Sequence, residues 1–279
     1  MSQVTHAQSL AEAVELLDRL GDEAAPLAAG TWIMRDWLRG EKRRQHYVAL
    51  DQLAELHAIE AGEETRIGAL ATHEELARAI DNPALGAIAE AARTSAFPAI
   101  RSTATVGGNI CAEPFPEADL VPALLACEAE AAIAERAGKR REPLAAMLEH
   151  GPRLPSGAVL EQVLVRAPAG RVSTFRRLTV RGGGEYAVAS VALSVDLDET
   201  GLVRAARIAL GSVEERPRLF PEAAAALVSA PLDSSHGRAA GEAAAASCEP
   251  RNGLDAPAWY RRAVLPALVE DAVSALAAA

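Results

Sequence analysis

The amino-acid sequence predicts an α+β fold, and three observations carry this prediction. Helical and strand-like segments are mixed along the chain without the regular alternation of a doubly wound sheet. Residues 159–210 contain four strand-like runs, whereas residues 217–279 are rich in Ala and helical in character. The length of 279 residues exceeds the usual size of one domain, so we expect more than one structural unit.

The first 57 residues are expected to form a helix, a strand, a tight turn, a second helix and a second strand. Ser9 and Glu12 have the spacing of a capping box, and Gly21 is suited to end the first helix. The following strand runs into a turn of small residues between Pro26 and Thr31. No Gly-x-Gly-x-x-Gly pattern follows a strand, which argues against a Rossmann nucleotide site.

The middle of the chain predicts a hairpin followed by helices. Residues 56–70 have strand-like halves around a central turn, and Thr72 with Glu75 forms a second capping box. Residues 81–83 break that helix and begin another. Helix and strand patterns continue from residue 120 to a turn at Gly138, and residues 140–157, rich in Pro and polar side chains, are expected to mark a subdomain edge.

The most informative segment is Thr105-Val106-Gly107-Gly108-Asn109. Adjacent glycines remove the Cβ atoms that keep a backbone away from a ligand. They also permit positive φ, so that successive N–H groups can converge on one anion such as a diphosphate. A plain turn is the alternative interpretation of a Gly-Gly pair, because most such pairs are turns.

Composition excludes several classes of function. The net charge of −10 disfavours a non-specific nucleic-acid binder, and the short basic cluster 42–44 is interpreted as a solvated helix end. No segment approaches the ~20 apolar residues of a membrane span, and the N-terminus lacks a secretory pattern, so a cytoplasmic location is expected. The scattered Cys and His residues predict no disulfide, metal site or catalytic triad, and Cys111 is interpreted as a small buried residue.

The Gly-Gly segment and its flanks resemble a signature of the FAD-binding medium subunit of molybdenum hydroxylases, the xanthine dehydrogenase and carbon monoxide dehydrogenase family. The matched stretch runs from Ile100 to Asn109 and continues to Asp119-Leu120. The small-residue turn in residues 27–34 resembles the other signature of the family, an Ala-Gly-Gly-type turn. Further matches, in the spacer and the C-terminal domain, are residues 67–76, Arg181, residues 186–192 and residues 206–211.

The resemblance implies a two-subdomain FAD-binding domain of the vanillyl-alcohol-oxidase-like (PCMH) type, followed by a C-terminal α+β domain. The implied ranges are 1–57 and 58–168 for the two FAD-binding subdomains and 169–279 for the C-terminal domain. The family has FAD as the cofactor of this subunit, and no residue of the chain is implied as a catalytic group or a metal ligand.

The resemblance also implies which residues contact FAD. The first turn would bind the diphosphate through backbone amides, and the Gly-Gly turn would bind it from the other side. An acidic residue would hold polar parts of the flavin, one strand residue would line the adenine pocket, and one basic residue would contact the isoalloxazine edge. In that order, the residues are Leu27, Ala28, Ala29, Gly30, Thr31, Trp32, Ile33 and Met34; Thr105, Gly107, Gly108 and Asn109; Asp119; Leu160; and Arg176.

The family relationship implies an electron-transfer subunit within a larger assembly. A large subunit would carry molybdopterin, and a small iron–sulfur subunit would carry [2Fe–2S] clusters. The FAD of this chain would take electrons from those clusters and pass them to an acceptor such as NAD⁺, a quinone or oxygen. Trp32, Trp37 and Phe115 flank the two turns and are candidates for partial burial by partner subunits.

Two other functions stay open. A stand-alone flavoprotein oxidoreductase would need positioned acids or His residues in a substrate domain, and the C-terminal region offers few. A FAD-free assembly subunit is favoured by two departures from the family pattern. These are Ala29, where relatives often have Gly, and a loop from Asn109 to Asp119 that is one residue longer. If position 29 required positive φ, Ala would cost on the order of 1 kcal/mol.

Overall fold

The computed structural model describes residues 2–35, 44–149, 151, 154–180 and 186–278, and the chain divides into two compact units. The first unit comprises residues 1–76, 98–113 and 129–165, and the second comprises residues 77–97, 114–128 and 166–279. Both units are built from separated stretches of sequence, and each is described below by itself.

The first unit begins with a small parallel sheet covered by one helix. Its strands are β1 (Gln3–His6), β2 (Ala24–Leu27) and β3 (His46–Ala49), in the order β1-β3-β2, and the helix is α1 (Leu10–Leu20). The predicted cap of α1 is confirmed, because the Glu12 amide donates to Ser9 Oγ at 3.1 Å and Gly21 ends the helix at φ 56°. Apolar residues of α1 pack on β3 in a core that includes Leu17 and Val48.

A second sheet in this unit has five strands in the order β4-β5-β8-β6-β7. The strands are β4 (Ile59–Glu60), β5 (Glu64–Gly68), β6 (Glu130–Glu135), β7 (Gly138–Pro143) and β8 (Val159–Arg166). The remaining helices are α2 (His73–Ala79), whose start belongs to this unit, α4 (Pro98–Arg101), α5 (Val106–Cys111) and α7 (Leu144–Glu149). The predicted hairpin is confirmed as β4 and β5, and the Thr72 amide donates to Glu75 Oε2 at 2.8 Å as the predicted capping box requires.

The second unit is an antiparallel sheet with helices packed on it. The strands β9 (Arg171–Thr179), β10 (Ala187–Leu197), β11 (Val203–Gly211) and β12 (Arg218–Leu219) lie in the order β12-β11-β10-β9. The helices are α3 (Gly86–Thr94), α6 (Leu120–Ala126), α8 (Pro221–Ala225), α9 (Ser234–Ser247) and α10 (Ala258–Ala277). The predicted hairpin of two long strands and the helical C-terminal region are confirmed, and the core lies between β10, β11 and helices α8 to α10.

Two features of the secondary structure differ from the prediction. Strand β1 was not predicted because all four of its residues are exposed, so no hydrophobic alternation marks it, and it is held by backbone pairing to β3. Residues 140–157 were expected to mark a subdomain edge, but they contain part of β7 and all of α7. Strand β7 has no apolar pattern from which it could be predicted, because it is rich in charged residues. In the structure, Arg140 and Arg141 form ion pairs with neighbouring glutamates across the sheet surface.

A helix was also predicted between β2 and β3, and most of it would fall on residues 36–43, which lie outside the described part of the chain.

Candidate functional site

The first unit encloses a cavity of about 1000 Å³ that runs along strand β2. One end lies before the strand, at residues 21–23, and the other lies beside the small-residue turn that follows it. Residues predicted from the sequence to contact FAD contribute to its lining from three separate segments. They are Leu27, Ala28, Ala29, Gly30, Thr31, Trp32 and Ile33 from the first turn, Thr105, Gly107 and Gly108 from the second, and Leu160.

The first turn supplies a run of backbone donors. In the described part of the chain, the N–H groups of four consecutive residues, Ala28 to Thr31, donate no hydrogen bond. Gly30 adopts a φ of 75°, which is the left-handed conformation that glycine takes without strain, whereas Ala29 is not among the residues with positive φ. Ala29 is therefore compatible with this turn, and the penalty considered for that position does not arise.

The second segment differs in conformation from the prediction. Gly107 and Gly108 lie inside helix α5 and have no positive φ, so they do not form the predicted nest. Thr105 caps the helix, its hydroxyl accepting from the Gly108 amide at 3.1 Å, and the Gly107 amide donates to the Ala69 carbonyl at 2.7 Å. The absence of a side chain at Gly107 instead lets helix α5 pack closely against Ala69, because a Cβ on Gly107 would lie 2.9 Å from the Ala69 Cβ.

Four of the predicted residues do not line this cavity. Met34 is 61% exposed, and Asn109 is half-buried with its amide donating to the Thr105 carbonyl at 2.9 Å. Asp119 and Arg176 belong to the second unit. Their proposed contacts with the flavin stay predictions.

Asp119 is a buried carboxylate with an incomplete set of partners. It is 5% exposed, its Oδ2 lies 3.3 Å from Arg177 Nη1, and its Oδ1 has no hydrogen-bond partner in the described chain. Burial raises the pKa of Asp119 to about 7, the Arg177 guanidinium lowers it in part, and Glu117 raises it further. The folded protein therefore disfavours the ionised form of this side chain.

Arg176 is engaged within the second unit. Its Nη1 lies 3.1 Å from Glu90 Oε2 and its Nε lies 3.1 Å from Asp271 Oδ2. Glu90 Oε2 also accepts from the Phe175 amide at 2.6 Å, so this carboxylate joins α3 to β9. In the structure, the Arg176 guanidinium thus connects elements of the second unit.

The cavity lining also holds polar residues that sequence reasoning did not select, and Asp22, Arg44 and Ser156 are three of them. Arg44 was interpreted as a solvated helix end, and this is wrong, because the residue is half-buried and lines the cavity. The neighbouring Lys42 and Arg43 lie outside the described residues. No motif marks these three positions, which come together only because β2 and β3 are neighbours and the segment before β8 folds back over α1.

Cys111 also lines the cavity, and it is half-buried rather than a fully buried apolar residue. Burial raises the pKa of its thiol to about 12. Since the thiolate is the nucleophilic form of cysteine, this side chain is suited to packing against a ligand and not to forming a covalent bond with it.

These features fit a dinucleotide cofactor with a diphosphate. The volume lies at the upper end of the range for small-molecule sites, so the cavity admits a large ligand. Consecutive amides without acceptors are the donors that a buried anion requires. The small side chains of Ala28, Ala29 and Gly30 allow such a ligand to approach the backbone.

Comparison with known proteins defines the family. The family described as FAD binding domain in molybdopterin dehydrogenase matches residues 1–168, and the CO dehydrogenase flavoprotein C-terminal domain matches residues 173–276. The 6-hydroxypseudooxynicotine dehydrogenase complex subunit alpha of Paenarthrobacter nicotinovorans is 30% identical, over 95% of this chain and 90% of that protein. The carbon monoxide dehydrogenase medium chain of Hydrogenophaga pseudoflava is 28% identical, over 96% and 94% of the two chains.

A solved structure shows the same similarity in three dimensions. It is the Hydrogenophaga pseudoflava carbon monoxide dehydrogenase lacking the Mo-pyranopterin moiety of the molybdenum cofactor. One of its chains superposes with a TM-score of 0.87 at 29% identity, covering 98% of this chain and 96% of that one.

The chain therefore belongs to the FAD-binding medium subunits of the molybdenum hydroxylase, or molybdopterin dehydrogenase, family. It consists of an α+β FAD-binding domain followed by a C-terminal flavoprotein domain, and it is an oxidoreductase subunit. Among the described helices, none has the length and apolar character needed to cross a bilayer.

Proposed function

We propose that this chain is the electron-transfer subunit of a heteromeric, cytoplasmic molybdenum hydroxylase. In that assembly it receives electrons from [2Fe–2S] clusters on a small subunit and delivers them to an external acceptor such as NAD⁺, a quinone or oxygen. The large subunit carries molybdopterin and oxidises the organic substrate. When bound, FAD supplies the redox chemistry that joins the cluster electrons to the acceptor.

The observation that carries the proposal is the cavity along β2, with a run of amides at one end that donate no hydrogen bond to any described residue. In this proposal, Ala28 to Thr31 hold the diphosphate, and Leu27, Trp32 and Ile33 shape the wall beside it. Thr105, Gly107, Gly108 and Leu160 complete the wall by leaving room for the ligand and by excluding water. The other residues assigned to FAD are Met34, Asn109, Asp119 and Arg176.

The names of the relatives support membership of a complex, because one is a dehydrogenase complex subunit and another is a medium chain. We also propose the domain ranges 1–57, 58–168 and 169–279. In support of the last boundary, one family match ends at residue 168 and the other begins at residue 173. Trp32 and Phe115 remain candidates for burial by partners, and Trp37 lies outside the described residues.

Purification of the chain with and without its partners tests the proposed function. A tagged chain recovered from its native host should bring with it a molybdenum-bearing subunit and an iron–sulfur subunit. The chain produced alone should bind flavin but should not oxidise aldehydes or heteroaromatic compounds, because the oxidising centre would be on another subunit.

Two results distinguish the alternatives. Robust turnover of an organic substrate by the single chain would favour a stand-alone flavoprotein oxidoreductase. Recovery of the partners with a chain that never contains flavin would favour the assembly subunit. Ala29 was one of the two departures that favoured a FAD-free assembly subunit. Because Ala29 does not have a positive φ, it no longer favours that function.

A further inference from the structure

Helix α6 of the second unit is followed by a residue whose conformation is unusual for its type. Glu128 has a φ of 56°, in the left-handed region that glycine favours and that residues with a Cβ disfavour. Its amide donates to the Leu125 carbonyl at 3.1 Å, so it stands just after the helix cap, Cys127, where glycine is common. A negative side chain is also unfavourable at the carboxyl end of a helix. Both the backbone conformation and the charge are therefore unfavourable for a glutamate here.

Two arginines bind the Glu128 carboxylate, one at each oxygen. Glu128 Oε2 lies 2.7 Å from Arg171 Nη2, and Oε1 lies 2.8 Å from Arg207 Nε. The carboxylate thus joins strands β9 and β11, which lie on either side of β10 in the sheet. A glycine could not make these contacts, which gives a physical reason for a glutamate at this position.

The two arginines are themselves fixed by a second, buried carboxylate. Asp196 on β10 accepts from Arg171 Nε at 2.7 Å and from Arg207 Nη1 at 3.4 Å. As a hydrogen-bond donor, Arg171 lowers the pKa of Asp196, so this carboxylate is ionised at neutral pH. Two positive charges therefore face one buried negative charge, and Glu128 supplies the second negative charge.

Glu128 also stands at a point where the chain passes from one unit to the other. The second unit includes residues 114–128, and the first unit continues at residue 129. The Ala129 carbonyl accepts from the Leu144 amide at 2.8 Å, so the next residue is already held within the first unit. Hinges are formed by a few residues at the ends of elements that change φ and ψ, and Glu128 occupies such a place.

We propose that Glu128, Arg171 and Arg207 form an ionic latch that keeps a strained joint between α6 and β6 closed. While both arginines bind the carboxylate, residue 128 keeps its left-handed conformation. When the ion pairs break, φ relaxes to a negative value and the end of α6 opens. Because the Glu128 side chain is 50% exposed, dissolved ions screen the pairs, and the latch responds to ionic strength.

Amide hydrogen exchange of the full-length chain tests the proposal, because it measures how often a local segment opens. The amides of Cys127 and Glu128 are bonded within the end of α6 and report on the latch. Glu128→Gln keeps the size of the side chain and removes its charge. We expect about tenfold faster exchange at both amides, after correction for the intrinsic rate of each residue type.

A pair of smaller variants separates the ion pairs from the backbone strain. Glu128→Ala and Glu128→Gly both lose the carboxylate, but only glycine adopts the left-handed conformation without strain. Exchange at residues 127 and 128 should therefore be about fivefold faster in Glu128→Ala than in Glu128→Gly.

Ionic strength provides an independent readout. Between about 0.02 M and about 0.5 M NaCl at constant pH, wild-type exchange at the two amides should rise about threefold, because half-exposed ion pairs are screened. Glu128→Gln and Glu128→Gly have no ion pair to screen, so their exchange should not rise.

Two controls establish that the effect is local. Glu214→Gln removes another arginine-bound carboxylate of the second unit, since Glu214 Oε2 lies 2.7 Å from Arg218 Nε. Exchange at residues 127 and 128 should keep the wild-type rate in that variant. The amides of Val191 and Leu193, in the buried middle of β10, should exchange at the wild-type rate in every variant.

Three results would overturn the proposal. Wild-type exchange in Glu128→Gln, or a wild-type rate that does not change with salt, would show that the ion pairs do not hold the joint. Equal exchange in Glu128→Ala and Glu128→Gly would show that the left-handed conformation stores no strain. Faster exchange of Val191 and Leu193 together with Cys127 would show that Glu128 stabilises the whole unit and is not a latch.

Discussion

Replacement of Gly108 by Val should abolish FAD binding while leaving the second unit folded. Gly108 is exposed and lines the cavity, and a Cβ there would lie 2.9 Å from the Thr105 hydroxyl oxygen. A branched side chain would displace the helix cap of α5 and occupy space that the ligand needs. We expect stoichiometric flavin in the wild-type chain and affinity at least about 100-fold weaker in the variant, which is about 2.7 kcal/mol.

Two further glycine variants make this prediction specific. Gly108→Ala adds a single methyl group and should give an intermediate affinity. Gly62→Val places the same branched side chain in the exposed turn between β4 and β5, where a Cβ has its nearest contact at 3.5 Å. That variant should bind FAD normally. Stoichiometric FAD in Gly108→Val would show that this position does not border the ligand.

Asp119→Asn should stabilise the flavin-free chain at neutral and alkaline pH. The pKa of Asp119 is about 7 in the folded protein and 3.8 in the unfolded chain, with burial as the main cause. Both states are protonated below pH 3.8, so the carboxyl then has no cost. As pH rises to 7, the unfolded state loses its proton first, and the free energy of unfolding falls by about 1.4 kcal/mol per pH unit.

The variant removes this titration, because an amide resembles the protonated acid and does not ionise. Urea unfolding at pH 4, 6 and 8 should show Asp119→Asn more stable than wild type at pH 8 by about 2–4 kcal/mol, with little difference at pH 4. Asp81→Asn, an exposed change in the same unit, should follow wild type at every pH. An unchanged slope in Asp119→Asn would contradict the raised pKa.

Local signals in the sequence predicted much of the fold. The capping boxes at Ser9 and Thr72 depend on residues three positions apart, and both form as predicted. Strand β10 could be read from its apolar run because it is buried along nearly all of its length. Strand β1 could not, since an exposed edge strand is defined by the backbone of a partner more than 40 residues away.

The candidate site was predictable where it depends on small residues and not where it depends on tertiary neighbours. The small-residue turn and the Gly-Gly segment were selected because residues without bulky side chains let a ligand approach the backbone, and both segments line the cavity. Their conformations were not predictable, since the Thr105 cap makes the glycines helical and the left-handed residue is Gly30. Arg44 and Ser156 carry no local signal, because their place at the cavity follows from the order β1-β3-β2 and from the fold of the segment before β8.

The flavin content of the purified chain is the direct test of whether the cavity along β2 holds FAD. We predict one FAD per chain, visible as a flavin absorption spectrum and released into the supernatant when the protein is precipitated with acid. Release is expected because burial keeps the Cys111 thiol protonated and unsuited to a covalent bond. A chain that folds but contains no flavin and binds none when FAD is added, or a pellet that stays yellow after acid treatment, would contradict it.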